Sequence, residues 1–209
     1  MLKYGFALIA APLALTASLP ATAQQSPSDS LAKISNHLRS MSTMTANFTQ
    51  TDRGGQRLTG KLTIKQPGKI RFEYQKDANL LIVGDGKALT LIDYDVSQVQ
   101  RWPISNSPLS ALLNPERDLS KYGKIVPTRN PAVLSVEVRD PKRPEYGIIT
   151  MVFTKKPGAP GGLVLDGWVS LDSKNNRTSI RLSSQKFGAA VSNTTFNWDD
   201  PRRKSRTKR

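Results

Sequence analysis

Apolar and polar residues alternate along much of residues 60–94, and this period of two predicts a series of half-buried strands. Ile70 and Phe72 share one face of such a strand, whereas the charged residues beside them share the other face. The alternation is interrupted at Pro67-Gly68 and at Asp85-Gly86, which are dipeptides typical of turns. The stretch therefore predicts antiparallel strands with one face in water and the other against an apolar partner.

The same alternation occurs on both sides of this stretch. Short links between the alternating segments favour antiparallel pairing of strands that follow one another in the chain. No repeat of fixed period is present. The additional strands are predicted at residues 44–48, 96–102, 133–138, 148–153, 163–171 and 178–184.

Two segments have helical periodicity instead. Residues 31–41 carry an apolar stripe at helical spacing. Leu109, Leu112 and Leu113 predict a short apolar helix that ends before Pro115. Strands with one apolar face and apolar helices that can cover it predict a mainly β fold of the α+β class.

The first residues have the composition of a secretory signal. One early cation, Lys3, precedes an apolar run at residues 6–19, and Ala21-Thr22-Ala23 matches an A-x-A cleavage site. A membrane anchor is the competing interpretation, but the run is short for a bilayer span and is interrupted by Pro12. We therefore predict that residues 1–23 are a cleaved signal peptide and that the mature chain is exported.

The remaining chain suits a single domain at residues 24–201. Lys and Arg number 31 against 16 Asp and Glu, which gives a net charge of +15. Much of this excess lies in residues 202–209, where six of the eight residues are basic and none is apolar, so we predict a disordered tail. A solvated tail and a tail that contacts anionic lipid or an acidic partner both fit this composition. Export argues against nucleic acid as a partner.

Residues suited to catalysis are few. The chain has no cysteine, no nucleophile elbow and no phosphate-binding loop. Its one histidine, His37, lies on the apolar stripe of the first predicted helix, which favours a packing or surface role. The pairs Asp93 with Asp95 and Asp199 with Asp200 are more typical of solvated turns, because calcium takes six or more oxygen ligands. We expect no enzymatic activity, no cofactor and no metal site.

Six segments follow one another in a defined order: FTQ at 48–50, GKLTIKQPGKIRFEY at 60–74, LIVGDGK at 81–87, LIDYD at 91–95, SPL at 107–109 and FNWDDP at 196–201. This ordered set, which extends over nearly the whole mature chain, resembles the LolA family of periplasmic carriers for outer-membrane lipoproteins. The related receptor LolB is itself acylated on a cysteine, and the lack of cysteine argues against that relative.

The resemblance implies an incomplete antiparallel β-barrel with a helical lid over an apolar cavity. It also implies a carrier located in the periplasm that accepts acylated lipoproteins from an inner-membrane ABC transporter and shields their acyl chains. Delivery would be to an outer-membrane receptor or to the outer membrane directly, and we expect the carrier to be a monomer. Two alternatives stay open, namely a lipid-binding or envelope-sensing domain of the same fold and a secreted hydrolase.

The candidate lipid-binding residues are the apolar positions that this fold would turn inward. For each of them, packing in a closed core is an equal alternative to lining a cavity. The strand candidates are Leu62, Ile64, Ile70, Phe72, Tyr74, Leu81, Val83 and Leu91, and the lid candidates are Leu109, Leu112 and Leu113.

Gln66 is the candidate lid latch. Many LolA proteins carry Arg immediately before the proline of this motif, where it helps to hold the lid shut, whereas here Gln66 precedes Pro67. A glutamine amide donates and accepts hydrogen bonds but has neither charge nor a guanidinium fork. We predict that Gln66 bonds to the backbone of the lid.

Overall fold

The computed structural model describes residues 26–202, which form one 11-stranded antiparallel sheet with three α-helices. The predicted signal peptide and all of the predicted basic tail except Arg202 lie outside the described residues, so their boundaries stay predictions. The strands are β1 Thr43–Thr51, β2 Arg57–Lys65, β3 Lys69–Tyr74, β4 Leu80–Asp85, β5 Ala88–Asp93, β6 Gln98–Pro103, β7 Gly123–Val126, β8 Val133–Arg139, β9 Ile148–Lys155, β10 Leu163–Leu171 and β11 Arg177–Phe187. The helices are α1 Pro27–Ser40, α2 Ser110–Leu113 and α3 Leu119–Tyr122.

The sheet is open between β6 and β7, which are its two edges. The strand order is β6-β5-β4-β3-β2-β1-β11-β10-β9-β8-β7, so every strand pairs with a neighbour in sequence except where β1 meets β11. The chain passes from one edge to the other through residues 104–122, which contain α2 and α3. We call residues 104–122 the lid. The predicted mainly β fold with an unclosed antiparallel sheet and a few helices is confirmed.

Helix α1 begins at a capped end. Ser26 Oγ accepts a hydrogen bond from the backbone N–H of Asp29 at 3.1 Å, and Pro27 occupies the first turn. The buried side of the helix includes Ile34 and Leu38. This helix packs against α3, β7 and the turn at residues 160–162, and so it lies on the same side of the sheet as the lid.

The two faces of the sheet are covered differently. We call the face toward α1 and the lid the inner face, and the opposite face the outer face. The main hydrophobic core lies on the inner face. A smaller cluster lies on the outer face, where Phe196 packs on Leu81, Val83 and Ile92.

The segment after β11 is held on the outer face by basic side chains of β2 and β3. Lys65 Nζ donates to the Val191 carbonyl at 2.7 Å, and Arg71 Nη1 donates to the Asn197 carbonyl at 3.1 Å. These hydrogen bonds attach the end of the described chain to β2 and β3, although each joins residues that are 126 positions apart in the sequence. Among residues 26–202, no helix is long and apolar enough to cross a bilayer.

Candidate functional site

The inner face of β2 and β3 brings five of the predicted lining residues together. Cross-strand pairing places Phe72 beside Leu62, and Ile70 beside Ile64. Together with Tyr74, these side chains expose between 0% and 7% of their surface. The period-two pattern therefore assigned the correct face to this part of the chain.

Gly60 makes room for an aromatic side chain at the centre of this face. It pairs with Phe48 on one side and with Tyr74 on the other. A Cβ atom at Gly60 would lie 2.7 Å from Phe48 Cε1 and 2.1 Å from the Glu73 carbonyl oxygen. Any larger residue would displace the Phe48 ring or the backbone of β3.

Phe48 and Trp168 complete an aromatic cluster on the inner face. Ring centroids of Phe48 lie 5.2 Å from Phe72 and 5.0 Å from Tyr74 in edge-to-face contact, and Trp168 lies 6.1 Å from Phe72. Phe48 and Trp168 are not among the predicted lining residues, because they belong to β1 and β10 rather than to the stretch that carried the prediction. Phe48 alternates with polar neighbours, which is a signal that could have found it, whereas Trp168 lies between Gly167 and Val169 and carries no such signal.

The hydroxyl of Tyr74 is the polar group of this cluster. It donates a hydrogen bond to Gln50 Oε1 at 2.7 Å, so the buried hydroxyl has a partner. Burial raises the pKa of Tyr74, and the phenol therefore stays neutral in the interior. The inner face thus presents a continuous uncharged surface.

The lid supplies the opposite wall. Leu112 and Leu113 expose 0% and 1% of their surface, and Leu109 is half-buried against the same core. All three predicted lid residues therefore contact the core that the inner face forms.

Gln66 joins β2 to the lid. Its Nε2 donates a hydrogen bond to the Leu112 carbonyl at 2.8 Å. The backbone N–H of Gly68 donates to the Leu113 carbonyl at 2.9 Å, and it also lies 3.3 Å from Gln66 Oε1. The amide thus ties the turn before β3 to the last carbonyls of α2, which helix termini leave without intrahelical partners.

Arg117 supplies a guanidinium group within the lid. Its Nη1 donates to Ser110 Oγ at 2.7 Å, and its guanidinium carbon lies 4.7 Å from the ring centroid of Tyr122. Arg117 Nε is buried without a hydrogen-bond partner among the described residues. Arg117 therefore holds α2 to α3, an interaction that the sequence patterns did not reveal.

Two of the predicted lining residues face away from this site. Leu81 and Val83 pair with Glu73 and Arg71, so they lie on the outer face beneath Phe196. The prediction that they face the interior is wrong. The reason is that every residue from Leu80 to Val83 is apolar, so β4 has no period-two signal to fix its phase.

Leu91 lies at the margin of the inner face. It pairs with Ile82, which in turn pairs with Phe72, so all three share one side of the sheet. Leu91 is half-buried, whereas its neighbour Leu89 is 1% exposed and belongs to the main core.

His37 is fully buried on the inner side of α1. The ring donates from Nδ1 to the Pro160 carbonyl at 2.6 Å, because a carbonyl can only accept. The rings of Phe153 and Phe187 contact it edge to face at 5.5 Å and 6.2 Å. Burial lowers the pKa of His37 from the usual 6.5, against the opposing effect of the bond to Pro160. A neutral histidine that has no acidic partner among residues 26–202 has the packing role that its sequence position favours.

The interior is closed in this conformation. Leu62, Ile64, Ile70 and Leu112 have no exposed surface, so inner face and lid fill the space between them. A hollow of about 730 Å³ lies instead on the outer face. Among residues 26–202, no group of three or more His, Asp or Glu side chains could hold a metal ion.

Comparison with known proteins finds a matching family model and several similar carrier proteins. The family model described as outer membrane lipoprotein carrier protein LolA matches residues 39–199. An outer-membrane lipoprotein carrier protein of Chromobacterium violaceum is 32% identical over 90% of this chain and 91% of its own length. One of Coxiella burnetii is 27% identical over 84% of this chain and 85% of its own.

A solved structure of a LolA superfamily protein from Nitrosomonas europaea has a TM-score of 0.44 and 12% identity, with 82% of this chain and 97% of that chain covered. The assignment rests on the family model, which spans most of the sheet and the lid, and on the relative that is 32% identical over nearly its full length. This chain belongs to the LolA family of outer-membrane lipoprotein carrier proteins.

Proposed function

We propose that this protein carries acylated lipoproteins across the periplasm as a monomer, without chemical turnover. It accepts them from an inner-membrane ABC transporter and delivers them to an outer-membrane receptor or to the outer membrane directly. Membership of the LolA family supports the cargo class. The observation that carries the proposal is the continuous apolar surface that the inner face and the lid bury between them.

Acyl chains need such a surface because water solvates them poorly. Each buried methylene contributes about 0.8 kcal/mol, so two or three chains of about fifteen methylenes would cost about 25–35 kcal/mol if fully exposed. Contact between the chains lowers this cost, which makes the figure an upper bound. A carrier must offset most of the cost and still release its cargo.

Cargo binding requires the lid to move away from the sheet, because the inner-face side chains are fully packed in the closed state. The packing between lid and sheet that opening disrupts is mainly apolar, and acyl chains can replace it with packing of the same kind. Opening of the lid also breaks the hydrogen bonds from Gln66 and Gly68 to the end of α2. Each contributes on the order of 1 kcal/mol, so these two hydrogen bonds oppose opening only weakly.

Depletion of the protein in its own cell tests the proposal. Acylated lipoproteins are expected to accumulate at the inner membrane and to return to the outer membrane when the wild-type chain is re-expressed. Normal sorting during depletion would contradict the proposal. Normal sorting together with an altered envelope stress response would favour the sensing alternative instead.

A further inference from the structure

A groove of about 730 Å³ crosses the outer face at the centre of the sheet. It extends over β2, β1, β11, β10 and β9, on the opposite side of the sheet from the lid. We call it the outer groove. Its polar lining residues include Thr51, Arg57, Asp166, Arg177, Ser179 and Arg181.

The strand register directs three arginines toward one patch of the outer groove. Thr51 pairs with Arg57 on one side and with Ser179 on the other, so these residues form a row across three strands. Arg177 and Arg181 flank Ser179 on the same face of β11. Neighbouring strands lie about 4.8 Å apart and alternate residues about 6.8 Å apart, so all three side chains can reach the patch above Thr51 and Ser179.

The three arginines have no partner within the part of the chain that the structure describes. Arg57, Arg177 and Arg181 are exposed and form no side-chain hydrogen bond or ion pair among residues 26–202. The carboxylate in the outer groove, Asp166, accepts a hydrogen bond from Thr154 Oγ1. The groove therefore combines three unpaired guanidinium groups with a single carboxylate that is already bonded.

Gly167 keeps the floor of the outer groove open. It follows a register shift between Leu165 and Gly167 in the pairing of β10 with β9. Its φ is +151°, and a Cβ there would lie 2.1 Å from the Ile180 carbonyl oxygen. The β-branched residues Thr49, Val152 and Val169 also line the groove.

The shape and charge of the outer groove favour an extended acidic polypeptide over a membrane surface. A concave groove does not lie flat on a bilayer, and the large hydrophobic side chain that is exposed among residues 26–202, Val96, lies outside it. The planar guanidinium group of arginine can donate two parallel hydrogen bonds to a carboxylate. Arg177 and Arg181 are about 13 Å apart along β11, which is also the spacing of residues i and i+4 in an extended chain.

We propose that the outer groove binds an extended acidic segment of a partner protein, whose carboxylates pair with Arg57, Arg177 and Arg181. The occupant is a separate protein rather than the acylated cargo, because the outer groove lies on the opposite face of the sheet from the lid. A partner on this face can hold the carrier while the lid opens or closes. This inference is independent of the identity of the cargo.

The test measures the affinity of a fluorescently labelled peptide of alternating Glu and Ser for the full mature chain at low salt. Fluorescence anisotropy reports the binding. A variant with R57Q, R177Q and R181Q is compared with a matched variant carrying R39Q, R129Q and R139Q. The matched positions are exposed arginines outside the outer groove, and both variants lose the same charge and keep the basic tail.

Affinity is expected to fall about tenfold in the groove variant, since three exposed ion pairs together contribute about that much. The matched variant should lose less than about threefold. If the groove variant does not fold, single R57Q, R177Q and R181Q chains should each lose about twofold. Equal losses in both triple variants, or no loss in either, would overturn the proposal. Groove-dependent binding of phosphatidylglycerol vesicles without binding of the peptide would also overturn it, in favour of lipid headgroups.

Discussion

At the scale of single residues, Gln66 connects β2 to the lid through a neutral amide. The amide reaches the Leu112 carbonyl directly, and its oxygen lies near the backbone N–H of Gly68, which bonds to the lid itself. The hydrogen bond from the Gln66 amide is neutral, so it does not bring a charge into the apolar interior. It also holds the lid more weakly than a charge-assisted hydrogen bond would.

Replacing Gln66 with Leu should loosen the lid. The change removes the hydrogen bond to the Leu112 carbonyl and the longer one accepted from the Gly68 N–H. The bond to the lid contributes on the order of 1 kcal/mol, so the open state should gain population about fivefold. Hydrogen exchange at the Gly68 amide measures this directly, because that amide bonds to Leu113 of the lid. The matched change Q100L, at an exposed position on β6, should leave the exchange rate unaltered. Unchanged exchange in Q66L, with unchanged lipoprotein uptake and release, would contradict a latch role.

His37 should give the protein a specific dependence of stability on pH. Its pKa is lowered by burial, so below pH 6.5 the unfolded chain binds a proton more readily than the folded chain does. The free energy of unfolding should therefore fall as pH decreases from about 6.5 to about 5. Asp85, Asp118 and Asp172 also have lowered pKa values, but they start from 3.8 and act at lower pH.

The H37Q variant isolates this effect, because His37 is the one histidine of the chain. The variant should be less stable overall but should show a flatter pH profile in denaturant titrations between pH 5 and pH 6.5. Equal slopes for the variant and the wild type would show that another group titrates in this range.

At the scale of elements, β4 marks the limit of prediction from one sequence. Most of the strands were predictable because apolar and polar residues alternate along them, and the short lid helix was predictable because its apolar residues have helical spacing. β4 is apolar at consecutive positions, since both of its faces are buried, one by the inner core and the other by Phe196. The residue that covers its outer face lies far away in the chain, and no local pattern connects the two.

The residues of the inner site also divide into those that local alternation predicts and those that it does not. Leu62, Ile64, Ile70, Phe72 and Tyr74 could be assigned because they alternate within two adjacent strands. Phe48 of β1 reaches the site through the pairing of β1 with β2, whereas Trp168 of β10 reaches it only through the pairing of β1 with β11 and of β11 with β10. Such long-range pairing decides which alternating strands share a core, and a single sequence does not specify it.

The segment that carries Phe196 should stabilise the sheet without contributing to the inner site. Phe196 is 6% exposed and packs on Leu81, Val83 and Ile92. The F196A variant should therefore lose about 3 kcal/mol of unfolding free energy, as measured by urea titration.

The control is V96A, which alters an apolar side chain that is 66% exposed and should change stability by less than about 0.5 kcal/mol. Lipoprotein binding by F196A should equal that of the wild type at temperatures where both are folded. Loss of binding by the folded variant would place part of the binding site on the outer face.

At the scale of the whole molecule, one sheet separates two surfaces of opposite character. The inner face is apolar and covered by the lid, whereas the outer face combines the small cluster around Phe196 with the basic outer groove. Acyl chains and acidic protein segments would thus bind on opposite sides of the same strands. This separation allows a partner to hold the carrier without competing with the cargo.

The central claim is that acyl chains bind between the inner face and the lid, and photocrosslinking tests it most directly. A photoreactive phenylalanine derivative replaces Leu91 on the inner face or Val99 on the outer face, two half-buried positions on adjacent strands. After irradiation of cells, acylated lipoproteins should be crosslinked from position 91 and not from position 99. Equal crosslinking from both positions, or crosslinking from position 99 alone, would contradict the account.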